Sequence, residues 1–216
     1  MFKQLYSELK QLADPKKAEK MSAYMRDQFL YLGVPAPERK KIQQSFFKTA
    51  KNQTVDWNFI KACWQSPYRE LQYVAMDYLA MMKHQLTPKD VEKIKHLAID
   101  KSWWDTIDGL DIIVGSIALR YPEVEKTLLD WSLSDNMWLR RLAIEHQLLR
   151  KEKTNTTLLA TIIQNNLGSE EFFINKAIGW ALRDFSKTNP DWVRQFINDH
   201  QEQLAKLSIK EASKYL

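Results

Sequence analysis

The clearest structural signal in this sequence is the segment Lys101-Ser102-Trp103-Trp104-Asp105-Thr106-Ile107-Asp108. Ser102 is of the residue type that caps helices, because its hydroxyl can accept hydrogen bonds from the free amides of a first turn. Asp105 follows three residues later, where a first-turn carboxylate is favourable. The stretch therefore predicts that a helix begins at Ser102, and we place it over residues 102–120.

Two different stripes run along this predicted helix. The first is apolar at helical spacing and must face a core; it consists of Trp103, Ile107, Leu110, Val114 and Ile117. The second combines an indole, two carboxylates and a glycine, and consists of Trp104, Asp108, Asp111 and Gly115. It fits either a half-exposed tryptophan beside solvated acids or a carboxylate held against an aromatic wall at the edge of a groove.

Helical periodicity and helix starts recur along the whole chain, with no convincing strand alternation. Proline at the predicted starts supports several of them, since a first helical residue loses no amide bond. We predict helices over residues 2–13, 15–31, 36–51, 56–65, 67–84, 88–99, 102–120, 122–133, 135–151, 155–167, 169–187, 190–204 and 208–215.

An internal repeat organises these helices. Ser66, Ser102, Ser134 and Ser169 each end a short amphipathic helix and open a longer one, at spacings of 36, 32 and 35 residues. Helix pairs at that period indicate an all-α fold, an α-solenoid of HEAT-like repeats whose longer helices line a concave groove. No linker interrupts the pattern, so we predict a single domain over residues 1–216.

Composition narrows the function classes. The 216 residues include eight Trp and carry a net charge of +5, a modest excess that suits a polyanionic partner. Cys63 is the one cysteine, which excludes an intramolecular disulfide and a cysteine-based zinc site. The histidines lack metal-ligand spacing, no phosphate-binding glycine loop occurs, and we expect no cofactor. Without a signal peptide or an apolar run of about 18 residues, a soluble cytoplasmic protein is expected.

The predicted helix 169–187 carries a second candidate surface. Its cations and one indole fall on one face, at Lys176, Trp180, Arg183 and Lys187. Such a face is either solvated or grips phosphates while the indole lies against a sugar or base. Periodicity does not decide which of Arg140 and Arg141 faces the groove, and it favours a core position for Tyr24.

Four segments in order resemble the AlkD family of DNA alkylation repair glycosylases, over about residues 15–192. They are Lys17–Met25 with Phe29–Gly33 and Pro37–Arg39, then Lys101–Asp108, then Asp135–Arg141, and finally Glu171–Arg183 with Lys187–Pro190. The resemblance implies a HEAT-like solenoid that binds duplex DNA containing alkylated purines and releases N3- and N7-alkylated bases. We expect a monomer with no membrane association.

The resemblance also implies roles for individual residues. Asp108 matches the family's catalytic aspartate, and Trp104 and Trp180 match tryptophans that flank the sugar of the lesion. Arg141 matches the groove arginine, which we expect to hold phosphate. Other groove positions match Tyr24, Phe172, Phe173 and Arg183. Relative to the family's pattern, this sequence has small gaps between Asp108 and Asn136. The resemblance therefore assigns no role to Asp111.

Two other classes of function use the same fold. A protein-binding scaffold would not need Trp and Asp clustered beside cations, and a neutral groove would favour it. A non-catalytic binder of damaged or branched DNA would keep the cations and tolerate loss of Asp108. The sequence leaves open the preferred alkyl group, the tolerance of bulky adducts and the physiological substrate.

Overall fold

The computed structural model describes all residues from 1 to 216 and contains thirteen α-helices and no β-strand. The predicted all-α fold of helical repeats is confirmed. The chain divides into two compact units, Met1–Leu86 and Thr87–Leu216, which are described separately below. The single domain over residues 1–216 stays a prediction.

The first unit contains five α-helices. They are α1 (Phe2–Gln11), α2 (Pro15–Tyr24), α3 (Ala36–Ala50), α4 (Trp57–Gln65) and α5 (Arg69–Met82), followed by a 3₁₀ turn at Lys83–Gln85. Helix α5 packs on both α3 and α4, and α1 packs on α3 and α4. The unit thus has its own core.

The second unit contains the other eight α-helices. They are α6 (Val91–Ile99), α7 (Trp104–Arg120), α8 (Val124–Trp131), α9 (Met137–Glu145), α10 (Thr156–Gln164), α11 (Phe172–Ser186), α12 (Pro190–Asp199) and α13 (Lys206–Ala212). Short 3₁₀ turns lie at Pro88–Asp90, Lys151–Lys153 and Ser213–Tyr215.

A buried carboxylate holds the loop between α2 and α3 of the first unit. Glu70 of α5 is fully buried and accepts hydrogen bonds from the backbone amides of Leu32, Gly33 and Val34, at 3.0, 2.8 and 3.1 Å. Three donors offset the cost of burying the charge. Gly33 has a φ of +87°, a conformation that side chains with a Cβ rarely adopt. The loop is therefore fixed to the start of α5.

In the second unit the odd-numbered helices from α7 onward pack against one another in order: α7 on α9, α9 on α11, and α11 on α13. This is the packing expected when repeats of two helices stack. Gly115 allows the close approach of α7 to the end of α9, because a Cβ there would overlap the carbonyl oxygen of His146. The helices that carry the candidate site are thus adjacent layers.

Ser102 does not act as the helix N-cap that we predicted, and the other three repeated serines are not helix N-caps either. The hydroxyl oxygens of Ser66, Ser134 and Ser169 accept from the backbone amide two residues later, at 3.3, 3.1 and 3.3 Å, which forms a turn before the helix. Ser102 instead donates to the carbonyl of Ala98 at 2.6 Å, and α7 begins without a side-chain cap.

Two predicted helices end early for an identifiable reason. Helix α2 ends at Tyr24 instead of residue 31, because Arg26 and Asp27 adopt φ values of 56° and 57°. Helix α9 ends at Glu145 instead of residue 151, and Leu149 has a φ of 65°. None of these residues is glycine, so composition did not reveal the left-handed turns. No helix has the length and apolar character needed to cross a membrane.

We expect Gly115→Ala to lower the free energy of unfolding by about 1–3 kcal/mol, because the added methyl group overlaps the His146 carbonyl. The same change inside an exposed helix would raise it by about 1 kcal/mol. Urea denaturation measures the difference, with Ser116→Ala as control, since that hydroxyl bonds only within α7. A Gly115→Ala variant as stable as the parent would contradict the close approach.

Candidate active site

Three neighbouring helices of the second unit meet at one arginine. Helix α7 supplies Asp108, α9 supplies Arg141, and α11 supplies Phe173 and Trp180. Asn136 caps the start of α9 by accepting from the amides of Trp138 and Leu139, and so fixes where Arg141 lies along that helix. The residues come together because α7, α9 and α11 pack in sequence.

Arg141 forms a two-pronged pair with Asp108. Its Nε donates to Asp108 Oδ1 at 2.8 Å, and its Nη2 donates to Asp108 Oδ2 at 2.9 Å. Its Nη1 donates to the carbonyl oxygen of Phe173 at 2.7 Å. The guanidinium carbon lies 5.3 Å from the centre of the Trp180 ring. A planar fork with these partners fixes the carboxylate of Asp108 in one orientation.

Asp108 is the carboxyl group of this cluster that reaches the surface. Its side chain is 22% exposed, whereas that of Arg141 is 1% exposed. Burial raises the pKa of Asp108 above its ordinary value, and the positive charge of Arg141 opposes that rise. Three of the residues that the sequence analysis singled out, Asp108, Arg141 and Trp180, lie together in the structure.

The predicted phosphate contact of Arg141 does not fit this geometry. The guanidinium is buried and already bonded to Asp108 and to the backbone of Phe173. A phosphate could reach it only if Asp108 were displaced. Arg141, and not Arg140, is the arginine of the site, and in this structure it orients a carboxylate.

Two further carboxyl groups lie behind Asp108. Asp111 is 1% exposed, so the second half of the Trp104–Gly115 stripe lies inside the protein and not at a groove edge as expected. Glu145 of α9 has a side chain that is 0% exposed, and its Oε1 lies 2.9 Å from Arg141 Nη2. Burial raises the pKa of Asp111 and of Glu145 well above their ordinary values.

Glu145 was not predicted from the sequence. It lies four residues after Arg141, the spacing at which helix side chains meet, and this is the one signal that could have found it. A cavity of about 250 Å³ lies beside the cluster, and its walls include Asp108, Glu145, Trp180 and Lys187. The cavity therefore has an acidic floor, an aromatic wall and a cation at its edge.

The predicted basic face of α11 has an unpredicted partner. Lys176 and Arg183 donate to the two carboxylate oxygens of Glu211 in α13, at 2.7 and 2.8 Å. Both cations also lie 5.8 Å from the centre of the Trp180 ring, on either side of it along the helix. Lys187 lies 5.0 Å from the ring of Tyr215 and is exposed.

The other predicted site residues have varied settings. Trp104 is half-buried at the first residue of α7. Phe173 packs with Trp103 and Trp138 at ring distances of 5.4 and 5.1 Å, so it belongs to an aromatic cluster under the site. Phe172 is 57% exposed. Tyr24, in the first unit, is 72% exposed, which contradicts the core position that periodicity favoured.

Comparisons with known proteins agree with this fold. The family profile described as "DNA alkylation repair enzyme" matches residues 5–216. A solved structure, a predicted DNA alkylation repair enzyme from Enterococcus faecalis, superposes with a TM-score of 0.88 at 38% sequence identity, covering 94% of this chain and 96% of that chain. No curated protein sequence matches the chain.

The chain belongs to the DNA alkylation repair enzyme family. Membership implies a role in the repair of alkylated DNA, with DNA as the partner.

We expect Glu211→Gln to lower the free energy of unfolding by about 2 kcal/mol at neutral pH, since charged hydrogen bonds are lost. Lys176 and Lys214 lower the pKa of Glu211 from 4.5 to about 2. The stabilisation is therefore present above pH 4.5 and is lost as the pH falls towards about 2. Urea denaturation across this range measures it, with exposed Glu202→Gln as control. A difference between Glu211→Gln and parent that is constant down to pH 2 would contradict the assignment.

Proposed function

We propose that this protein is a DNA glycosylase that releases N3- and N7-alkylated purines from duplex DNA. The observation that carries the proposal is the Asp108 carboxylate, oriented by the buried Arg141 and exposed along one edge beside Trp180. Asp108 lies in the wall of the cavity. The chain belongs to the DNA alkylation repair enzyme family, which supports a repair reaction at this site.

One carboxylate is sufficient for this reaction. An N3- or N7-alkylpurine is already cationic, so its base can leave without being protonated first, and no general acid is needed. Positive charge grows on the deoxyribose as the glycosidic bond lengthens. A negative group fixed near C1′ stabilises that charge and can orient the water that attacks the sugar. Asp108 has this role in the proposal.

Arg141 determines how Asp108 acts. Two hydrogen bonds from one planar group leave the carboxylate little freedom, so its exposed edge needs no reorganisation during the reaction. The positive charge of Arg141 also partly neutralises the Asp108 carboxylate, which weakens its effect on a cationic sugar. The main contribution of Arg141 is therefore to orient Asp108. We therefore assign Arg141 as the residue that positions Asp108, in place of the phosphate contact that the sequence suggested.

The proposal also assigns a role to Trp104 and Trp180. Trp104 precedes Asp108 by one helical turn, and Trp180 forms part of the cavity wall. In the proposal they pack on the deoxyribose backbone and exclude water, and their electron-rich faces favour the developing cation. No base-reading cluster of Asn or Gln lines the cavity, which suits a protein that acts through the backbone.

Phosphate binding in the proposal involves the cations around Trp180. Lys187 is exposed at the cavity edge, and Lys176 and Arg183 each keep donors beyond those bonded to Glu211. Such contacts are independent of sequence and of damage, so they supply affinity and not selectivity.

We expect Lys187→Ala to weaken binding to damaged and undamaged duplex equally and to reduce the salt slope by roughly 1, as loss of one phosphate contact should. Fluorescence anisotropy at several salt concentrations measures both slopes. Lys126→Ala, which removes an exposed cation of α8 away from the cavity, is the matched control. A loss confined to lesion-bearing duplex would show that Lys187 reads damage instead.

We expect Asp108→Asn to bind duplex DNA as the parent does and to release N7-methylguanine about 10²–10³-fold more slowly, because a charge that acts in the transition state is removed. The fold should survive, since Asn has the same shape and Arg141 keeps its hydrogen bond to the carbonyl oxygen of Phe173. Single-turnover release with enzyme in excess, a binding titration and a thermal melt measure the three quantities.

Asp105→Asn and Asp111→Asn are the controls for this change. If Asp108→Asn excises within about threefold of the parent while a control is crippled, the wrong carboxylate has been assigned. If the parent releases base no faster than the spontaneous reaction, the protein is a non-catalytic DNA binder and the proposed glycosylase activity is wrong.

A further inference from the structure

Glu145 has no role in the reaction described above, yet it contacts Arg141 and is within hydrogen-bonding reach of Asp108. Arg141 Nη2 lies 2.9 Å from Asp108 Oδ2 and also 2.9 Å from Glu145 Oε1. Of the two carboxyl groups, Asp108 is partly exposed and Glu145 is fully buried. One guanidinium is thus shared by a surface carboxylate and a buried one.

An ionised Glu145 would be poorly stabilised in this position. Neither of its carboxyl oxygens accepts a hydrogen bond of acceptable geometry, although both are shielded from solvent. A buried carboxylate without hydrogen bonds is costly, and one arginine cannot fully offset two carboxylates. A protonated Glu145 changes this balance, because its hydroxyl becomes a donor and the Asp108 carboxylate beside Arg141 becomes the acceptor.

The surrounding charges favour the protonated form. Asp105, Asp108 and Asp111 face the cluster from α7. The same cavity is lined by Arg183 and Asp184 of α11 and by Lys187, which directly follows that helix. Arg141 is the cation in direct contact. Burial raises the pKa of Glu145 well above its ordinary value, and Asp108 and Asp111 add to that rise. Arg141 opposes the rise but is already paired with Asp108.

We propose that Glu145 is a positioning residue for Asp108: a neutral carboxylic acid that donates a hydrogen bond to Asp108 and leaves Arg141 paired with it. This inference rests on the proposed glycosylase function. With Glu145 neutral, the surface carboxylate is held by Arg141 on one side and by a hydroxyl on the other. An ionised Glu145 would compete for Arg141 and repel Asp108.

Glutamine and alanine replacements separate this role from simple packing. Glu145→Gln keeps the shape, is neutral at every pH and offers an N–H donor to Asp108, so single-turnover release of N7-methylguanine should stay within about twofold of the parent. Glu145→Ala removes the donor, and misplacement of Asp108 should slow release about 10–100-fold while duplex affinity is unchanged. Exposed Glu202→Gln is the control.

The pH dependence of the folding stability tests the proposal without any measurement of activity. If Glu145 is neutral in the folded protein and ionised in the unfolded chain, the parent loses stability as the pH rises above 4.5. Glu145→Gln lacks this loss, so its melting temperature should exceed that of the parent increasingly as the pH rises. The infrared spectrum of the parent minus that of Glu145→Gln at neutral pH should also show the band of a protonated carboxylic acid, because buried Asp111 is present in both proteins and cancels.

Each result decides one part of the proposal. Equal loss of excision in Glu145→Gln and Glu145→Ala, a Glu145→Gln variant less stable than the parent at neutral pH, or absence of the infrared band would overturn the positioning role. If the parent releases no base, the proposed function fails, and the melting and infrared results still decide whether Glu145 is the neutral partner of Asp108.

Discussion

The second unit depends on the buried positive charge of Arg141. This side chain joins three helices, because it starts on α9, pairs with Asp108 of α7 and donates to a backbone carbonyl of α11. A guanidinium with 1% exposure is tolerated only where its hydrogen bonds are made. The spacing of the three helices and the orientation of the Asp108 carboxylate therefore both depend on this one residue.

The thirteen helices could be predicted from the sequence because each has an apolar face and most have a recognisable start. Pro15 and Pro190 are the first residues of α2 and α12, as their fixed φ favours. The ends were harder to place. Arg26, Asp27 and Leu149 take left-handed conformations that the tertiary structure imposes, and neither residue type nor periodicity signals them.

The candidate site could be predicted in part. Helical spacing singled out Asp108 and Trp180, which line the cavity, and the resemblance singled out Arg141, which was expected to face a groove but is buried. Periodicity describes which residues share a helix face and not how far the next helix covers that face. Glu145 and Glu211 were missed for a related reason: a buried acid is recognisable only beside its cation, and Glu211 meets Lys176 and Arg183 from a helix distant in sequence.

The buried cluster has a consequence for how this protein would respond to selection. Arg141, Asp108, Asp111 and Glu145 place four ionisable groups where apolar side chains of similar volume would fold at least as well. A library screened for heat resistance alone should therefore accumulate apolar replacements here early, and the survivors would keep the helices while losing the oriented carboxylate. Selection for heat resistance and selection for an oriented surface carboxylate would therefore act on these four positions in opposite directions.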